Sequence, residues 1–284
     1  MGFFKPYCVP VGSSLKLKPR KNSTLYGLAT PMTAETIEHT AQAAADWVRR
    51  ALAPGSPHAT EHWHGLGPVG ELEARLRDHF GVPYALTMSS ATNALLALAL
   101  ACDLAEREII MPPQSYPATY GPFSWLGCRV VRAQADAEGN LCPLSAARLI
   151  TPQTAAIVGT DFQGRPHDQR ALRRLCDAHQ LRYLSDAACT TFQSTRDGHP
   201  ASSLADAWVH SFGMGKPTPA GEGAAILTRD RCLYERLLHL SQHPERWRRE
   251  VALTGWNEAP FLNARMTPLA AVLVLAQLAS HEKN

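Results

Sequence analysis

Ser211-Phe-Gly-Met-Gly-Lys216-Pro-Thr-Pro-Ala-Gly221-Glu-Gly223 sits between two short β-type runs, Ala207–His210 and Ala224–Thr228. A lysine in a glycine-lined turn between strands has a fixed amine, and a fixed amine that can shed its proton can form an imine with an aldehyde. Ser211, five residues earlier, offers a hydroxyl that can meet a phosphate. Taken alone, the stretch reads first as a plain surface turn with a solvated lysine.

Outward from this turn the chain alternates. Further β-type runs occur at Tyr84–Met88, Glu108–Met111, Arg129–Arg132, Ala155–Gly159 and Arg182–Ser185, separated by helical or loop segments. Residues 92–104 are apolar on nearly every side, as a helix buried against a sheet should be. Val69, Leu72, Leu76 and Phe80 form one helical stripe stopped by Gly81. Asp168 is placed to cap an amphipathic helix running through His179. An Ala-rich helix is expected over Thr33 to Leu52, closed by the Pro54-Gly55 and Pro57 cluster. Strands alternating with helices predict an α/β fold with a mainly parallel sheet covered on both faces. The expected division is a helical and loop segment over 1–66, followed by one large domain over 67–284.

Three more pieces carry chemistry. Tyr183-Leu-Ser-Asp186-Ala-Ala-Cys189 is an apolar strand ending on a carboxylate, at the sheet edge where open α/β folds bind ligands. A buried carboxylate there needs a cationic partner, and a protonated pyridine nitrogen is one. The plain alternative is that Asp186 caps the next turn. Met88-Ser89-Ser90-Ala91-Thr92-Asn93 joins a strand to the apolar helix, where free amide groups and the helix dipole suit a phosphate. An ordinary Ser N-cap is the other reading. In Pro113-Gln-Ser-Tyr116-Pro-Ala-Thr119, Tyr116 can lie flat on an aromatic ring or simply occupy a rim.

These pieces occur in the order used by pyridoxal-phosphate enzymes of the aspartate-aminotransferase-like fold, known as fold type I. More narrowly, the chain resembles the DegT/DnrJ/EryC1/StrS family of sugar aminotransferases from about Gly67 to Leu278. Ser90-Ala91-Thr92 is similar to the family's Ser-Gly-Thr phosphate turn, and Tyr116 with Ala118-Thr119 to its aromatic loop. Ser185-Asp186-Ala187-Ala188-Cys189 is similar to Glu-Asp-Ala-Ala-Gln/His. Ser211-Phe212 through Lys216, then Gly221-Glu222-Gly223-Ala224, resembles Ser-Phe-x-x-x-Lys followed by Gly-Glu-Gly-Gly. Asn263-Ala-Arg265-Met266-Thr267, with Ala270-Ala271 and Ala276-Gln277-Leu278 beyond, resembles Asn-Tyr-Arg-Met and the helix after it.

The resemblance implies pyridoxal 5′-phosphate held on Lys216, its ring nitrogen on Asp186, its face under Tyr116, and its phosphate on Ser90, Ala91, Thr92 and Ser211. It implies amino transfer from glutamate or glutamine to a keto-sugar, nucleotide-linked, or to a keto-cyclitol. It also implies a homodimer in which Asn263 reaches the neighbouring subunit's phosphate. Cys189 stands where the family has Gln or His near the phenolic oxygen, and a thiol is the weaker hydrogen-bond partner. The family's small C-terminal domain is expected to be largely missing, which loosens the substrate expectation. A different reaction of a non-sugar amine or amino acid, or a shortened non-catalytic partner subunit, are the rival readings.

Composition limits the remaining classes. The 284 residues are 45% hydrophobic and 19% charged, and 28 basic against 25 acidic side chains leave a net charge of +3. That balance gives no reason to expect a nucleic-acid partner. The basic run Lys16, Lys18, Arg20, Lys21 reads as a solvated segment. Seven scattered cysteines without CxxC spacing suit reduced thiols, and neither a signal peptide at Met1–Ser13 nor a bilayer-spanning run is evident. A cytoplasmic location is therefore expected, with no membrane partner. His58-Ala-Thr-Glu61-His62-Trp-His64 contains three imidazoles and a carboxylate, but its Pro and Gly neighbours predict a loop and no metal site is expected. By the resemblance, His62 or His64 lies near the substrate entrance.

Overall fold

A computed structural model describes residues 32–193, 195, 198–251 and 262–281. Met1–Ser13, Cys8 within it, and the basic run at 16–21 lie outside the described residues. Strands β1 (Tyr84–Met88), β2 (Glu108–Met111), β3 (Arg129–Arg132), β4 (Thr154–Thr160), β5 (Arg182–Asp186), β6 (Ala207–Ser211) and β7 (Ala224–Thr228) form one sheet. Their order is β1-β7-β6-β5-β4-β2-β3. The run from β6 to β3 is parallel, while β7 lies antiparallel to both β6 and β1. The expected mainly parallel sheet is present, and the glycine-lined turn carrying Lys216 is the β6–β7 connection at which the sheet reverses direction.

The helices are α1 (Ala34–Ala51), α2 (Gly67–Phe80), α3 (Ala91–Ala101), α4 (Pro117–Trp125), α5 (Pro143–Leu149), α6 (Gln169–His179), α7 (Arg231–Ser241), α8 (Pro244–Glu250) and α9 (Pro268–His281). Strand alternation sorts the core into two layers. Ile110, Ile157, Tyr183 and Trp208 face α2, α6 and α9, packing with Leu72, Leu76, Leu172 and Val274. Ile109, Val158, Leu184 and Val209 face α3 and α7, packing with Leu95, Leu98, Leu233 and Leu237. Both faces are thus covered, which is why β4 to β6 read as near-continuous apolar runs.

Local signals explain the helix ends. Thr33 Oγ1 accepts from Thr36 N at 3.1 Å and starts α1. Asp168 Oδ1 accepts from Ala171 N at 2.9 Å and starts α6. Such caps contribute about 1 kcal/mol each. Gly81, at φ 59°, ends α2 in the left-handed region. The 58–64 stretch forms two short 3₁₀ turns, Pro57–Ala59 and Glu61–His64. α1 packs against α9, which joins the first described helix to the last.

One buried ion pair ties this framework to the site. Arg246 of α8 grips Glu73 of α2 through Nη2–Oε2 at 2.6 Å and Nη1–Oε1 at 3.1 Å. Both side chains are 2% exposed. Glu73 Oε1 also accepts from Thr87 N at 2.8 Å and Thr87 Oγ1 at 2.9 Å, one residue before β1 ends.

Candidate active site

The sheet topology brings the sequence motifs to one edge. Asp186 ends β5 and Ser211 ends β6, and the Ser89–Ala91 turn follows the end of β1. Ala224, the first residue of β7, is paired with Ser211 on one side and Met88 on the other. The Ser89 turn and Ser211 are therefore separated by about two strand spacings, roughly 10 Å. This edge is the one where open α/β sheets collect ligands.

At the first turn, Ser90 Oγ accepts from Asn93 N at 3.2 Å and caps α3. Asn93 Nδ2 donates to Ser89 Oγ at 2.9 Å. The plain N-cap reading is thus correct, and it leaves the first amides of α3 at an end of positive dipole. Ser90 and Ala91 are half-buried and Thr92 is exposed. Tyr116 precedes α4 and is 60% exposed.

Asp186 is held from two sides. Thr119 Oγ1 donates to Oδ2 at 2.6 Å, and Ala188 N donates to Oδ1 at 3.1 Å. Ser115 Oγ lies 2.9 Å from Thr119 Oγ1 and extends the chain of hydroxyls. Burial pushes the Asp186 carboxyl above its ordinary range, although the Thr119 and Ala188 hydrogen bonds and the Lys216 charge pull the other way. Among the described residues, no cation pairs with it at ion-pair distance, so burial prevails.

The β6–β7 hairpin is closed by Phe212 N to Gly223 O at 2.8 Å, Ala220 N to Phe212 O at 2.7 Å and Met214 N to Gly221 O at 3.1 Å. Gly215 takes φ 82° just before Lys216, a conformation that a side chain would oppose. Gly223 takes φ 148°, and a Cβ there would stand 2.8 Å from Met266 Cε. Backbone shape therefore favours glycine at both positions. Lys216 Nζ reaches across to Cys189 Sγ at 3.4 Å. Burial raises the Cys189 thiol against the lowering pull of the Lys216 charge. Ser211 is buried, and its Oγ accepts from Gly213 N at 3.3 Å.

The Asn263 segment returns beside the first turn. Ser89 N donates to Ala264 O at 2.8 Å, and Met88 and Arg265 form an isolated bridge. Asn263 is exposed at φ 46°. Arg265 Nη1 is buried without a hydrogen-bond partner, as is Nδ1 of His62. His58 Nδ1 pairs with Glu61 Oε2 at 2.9 Å. Among the described residues, no group of three or more His, Cys, Asp or Glu side chains is gathered for a metal ion.

Sequence reading missed part of this site. Thr119 was named only as a motif neighbour, yet it is buried and grips Asp186 directly. Asp161, one residue past β4, is buried behind Asp186 with His167, and was not singled out. Its place at the C-terminal edge of a central strand was the signal available.

An amine and a carboxylate stand at the ligand-collecting edge of a mostly parallel α/β sheet covered by helices on both faces. Residues 58–284 match the DegT/DnrJ/EryC1/StrS aminotransferase family, and the chain belongs to it. The UDP-4-amino-4,6-dideoxy-N-acetyl-beta-L-altrosamine transaminase of Helicobacter pylori is 33% identical, over 60% of this chain and 46% of its own. The L-glutamine:2-deoxy-scyllo-inosose aminotransferase of Streptomyces fradiae is 31% identical, over 66% of this chain and 48% of its own. The structure of DesI with its TDP-sugar product superposes with a TM-score of 0.71 at 34% identity, covering 86% of this chain and 59% of that one. The chain spans about half the length of these two curated relatives.

Proposed function

We propose that this chain is a pyridoxal-phosphate-dependent aminotransferase that converts a keto-sugar, nucleotide-linked, or a keto-cyclitol to its amino compound, with glutamate or glutamine as donor. The observation that carries the reading is the pairing of Lys216 Nζ, set over Cys189 at 3.4 Å, with the Asp186 carboxyl on the adjoining strand. The residues present fit the cofactor. Asp186 is half-buried, gripped by Thr119 and Ala188, and its carboxyl is pushed up, as suits a site that would receive a cation. The start of α3 offers amides to a phosphate, and Tyr116 leaves its ring free.

When bound, the cofactor supplies an aldehyde that captures amines and a ring that accepts electrons from the neighbouring C–H bond. Lys216 would hold the cofactor and move a proton at the reacting carbon as acid and base. Asp186, fixed by Thr119, would favour a proton on the ring nitrogen. Ser90, Ala91, Thr92 and Ser211 would hold the phosphate, Tyr116 would lie against the ring, and Cys189 would serve on the phenolic side. The names of the two curated relatives, a nucleotide-sugar transaminase and a cyclitol aminotransferase, support the substrate class.

A homodimer with shared sites is part of the reading, supported by an exposed Asn263 on the strip that borders the Ser89 turn. So are a division near residues 66 and 67, where α2 begins, and a cytoplasmic location; the six described cysteines are free thiols. No described helix is long and apolar enough to cross a membrane. The test is transfer of labelled nitrogen from glutamate to a panel of keto-sugars and keto-cyclitols. Reaction with small amino acids alone overturns the substrate assignment.

A further inference from the structure

Behind Asp186 lies a second carboxylate that the reaction does not touch. Asp161 follows β4, its side chain wholly enclosed, and it accepts four hydrogen bonds. His167 reaches Oδ1 with its ring Nδ1 at 2.6 Å and its backbone N at 3.0 Å. Ser202 Oγ reaches Oδ2 at 3.0 Å, and Thr190 Oγ1 donates to the same oxygen. His167 Nε2 in turn meets the Tyr183 hydroxyl, and Ser202 Oγ meets Ser185 Oγ at 2.7 Å. Burial works against a charge on Asp161, but His167 and these hydrogen bonds outweigh it and hold the carboxyl below the ordinary range. These contacts favour the ionised form of this buried carboxyl.

Two connections lead from it to the reacting groups. Asp161 N donates to Asp186 O at 3.3 Å, which ties the ends of β4 and β5. Thr190 closes the turn after Asp186 through Thr190 N to Ala187 O at 3.1 Å, and Cys189 sits inside that turn. Holding Thr190 therefore holds the thiol that faces Lys216. The titratable groups around Asp161 are His167, Tyr183 and His210, with Asp186 and Cys189 on the site side and Lys216 beyond them.

We propose that Asp161 is the positioning residue of this site: its carboxylate fixes the 187–190 turn that sets Cys189 against Lys216. Its charge stands behind Asp186 and favours the proton shared between Asp186 and the cofactor nitrogen. This rests on the cofactor reading above. An anion that cannot move or be hydrated stabilises nearby protonated, positively charged forms, and removing it lowers the pH at which they lose their proton.

The test uses cofactor-loaded wild type, Asp161→Asn and Thr190→Val, with folding checked by circular dichroism and thermal melting. The first readout is the pH at which the cofactor's long-wavelength absorbance fades; the second is cofactor loss on dialysis. Asp161→Asn is expected to lower the fading midpoint by about one pH unit, a tenfold change in proton affinity. Thr190→Val keeps the charge, so its midpoint stays put while cofactor is lost several-fold faster. A folded Asp161→Asn with wild-type midpoint and retention overturns the proposal. If Asp161→Asn does not fold, Thr190→Val decides, and unchanged retention in it overturns the proposal. A wild-type protein that takes up no cofactor removes the cofactor reading and this inference together, an outcome distinct from variants that load normally and behave as wild type.

Discussion

Lys216 Nζ lies 3.4 Å from Cys189 Sγ, and this thiol is its one hydrogen-bonding side-chain partner among the described residues. Among the described residues, no carboxylate pairs with the amine at ion-pair distance, which leaves it available as a nucleophile rather than locked as a structural cation. A thiol here is a weak acceptor. Cys189→Gln is therefore expected to fold normally and hold the cofactor more tightly, by about threefold to tenfold, since an amide gives stronger hydrogen bonds at the same place. Cofactor release followed by absorbance measures this. Weaker retention in Cys189→Gln contradicts the assignment of the thiol to the cofactor's side of the site.

Asp186 yields a pH prediction. Its folded-state carboxyl is raised by burial, so ionising it in the native state is unfavourable compared with the unfolded chain. Its contribution to stability is fully present below the unfolded carboxylate value of about 3.9 and is lost as pH rises through the raised folded value. Asp186→Asn removes that loss. The cofactor-free variant is expected to melt above wild type at pH 7, with the advantage vanishing towards pH 4, while cofactor retention and transfer fall steeply. Thermal melts at the two pH values check the sign; a variant less stable than wild type at pH 7 contradicts it.

The Glu73–Arg246 pair governs stability rather than chemistry. Truncating one partner leaves the other charge buried, at a cost of about 3–5 kcal/mol. Glu73→Ala also strips the acceptor from Thr87 N and Oγ1 beneath the Ser89 turn. Urea unfolding is expected to show a loss of that size, and a loss under about 1 kcal/mol is inconsistent with the buried pair.

Much of the fold was legible because its strands are short, apolar and evenly punctuated. The seven β-type runs fall on β1 to β7 within a residue or two, since β4 to β6 are buried on both faces and carry few polar residues. Other features were not legible. The reversal at β7 depends on which strand Ala224–Thr228 joins, and an apolar run does not specify its partner's direction. α4 carries Pro117 and Pro122 and little amphipathic pattern, so its helical character comes from packing against α3. The site divided along the same line. Asp186 and Ser211 were legible as strand ends and Lys216 as a residue of a glycine-lined turn, whereas Thr119 meets Asp186 across 67 positions of sequence. Asp161 pairs with His167 only six positions away, but its contacts with Thr190 and Ser202 span 29 and 41 positions and form only in the folded sheet.

Asn263 supplies an assembly prediction. In a dimer with shared sites, each cofactor depends on Lys216 of one subunit and Asn263 of the other. Lys216→Ala and Asn263→Ala proteins, each poor at retaining cofactor, are expected to regain a tightly held fraction when unfolded together and refolded as a mixture. The absorbance retained after dialysis measures it. A mixture no better than the average of the two variants argues against shared sites.

The central claim is that Lys216 carries the cofactor. Purified protein supplied with pyridoxal 5′-phosphate and dialysed should remain yellow, with a visible band that borohydride reduction fixes covalently on the peptide containing Lys216. The Lys216→Ala variant should fold, lose the band on dialysis, and show no fixed label. Wild-type protein that stays colourless, or a label on another lysine, contradicts the account.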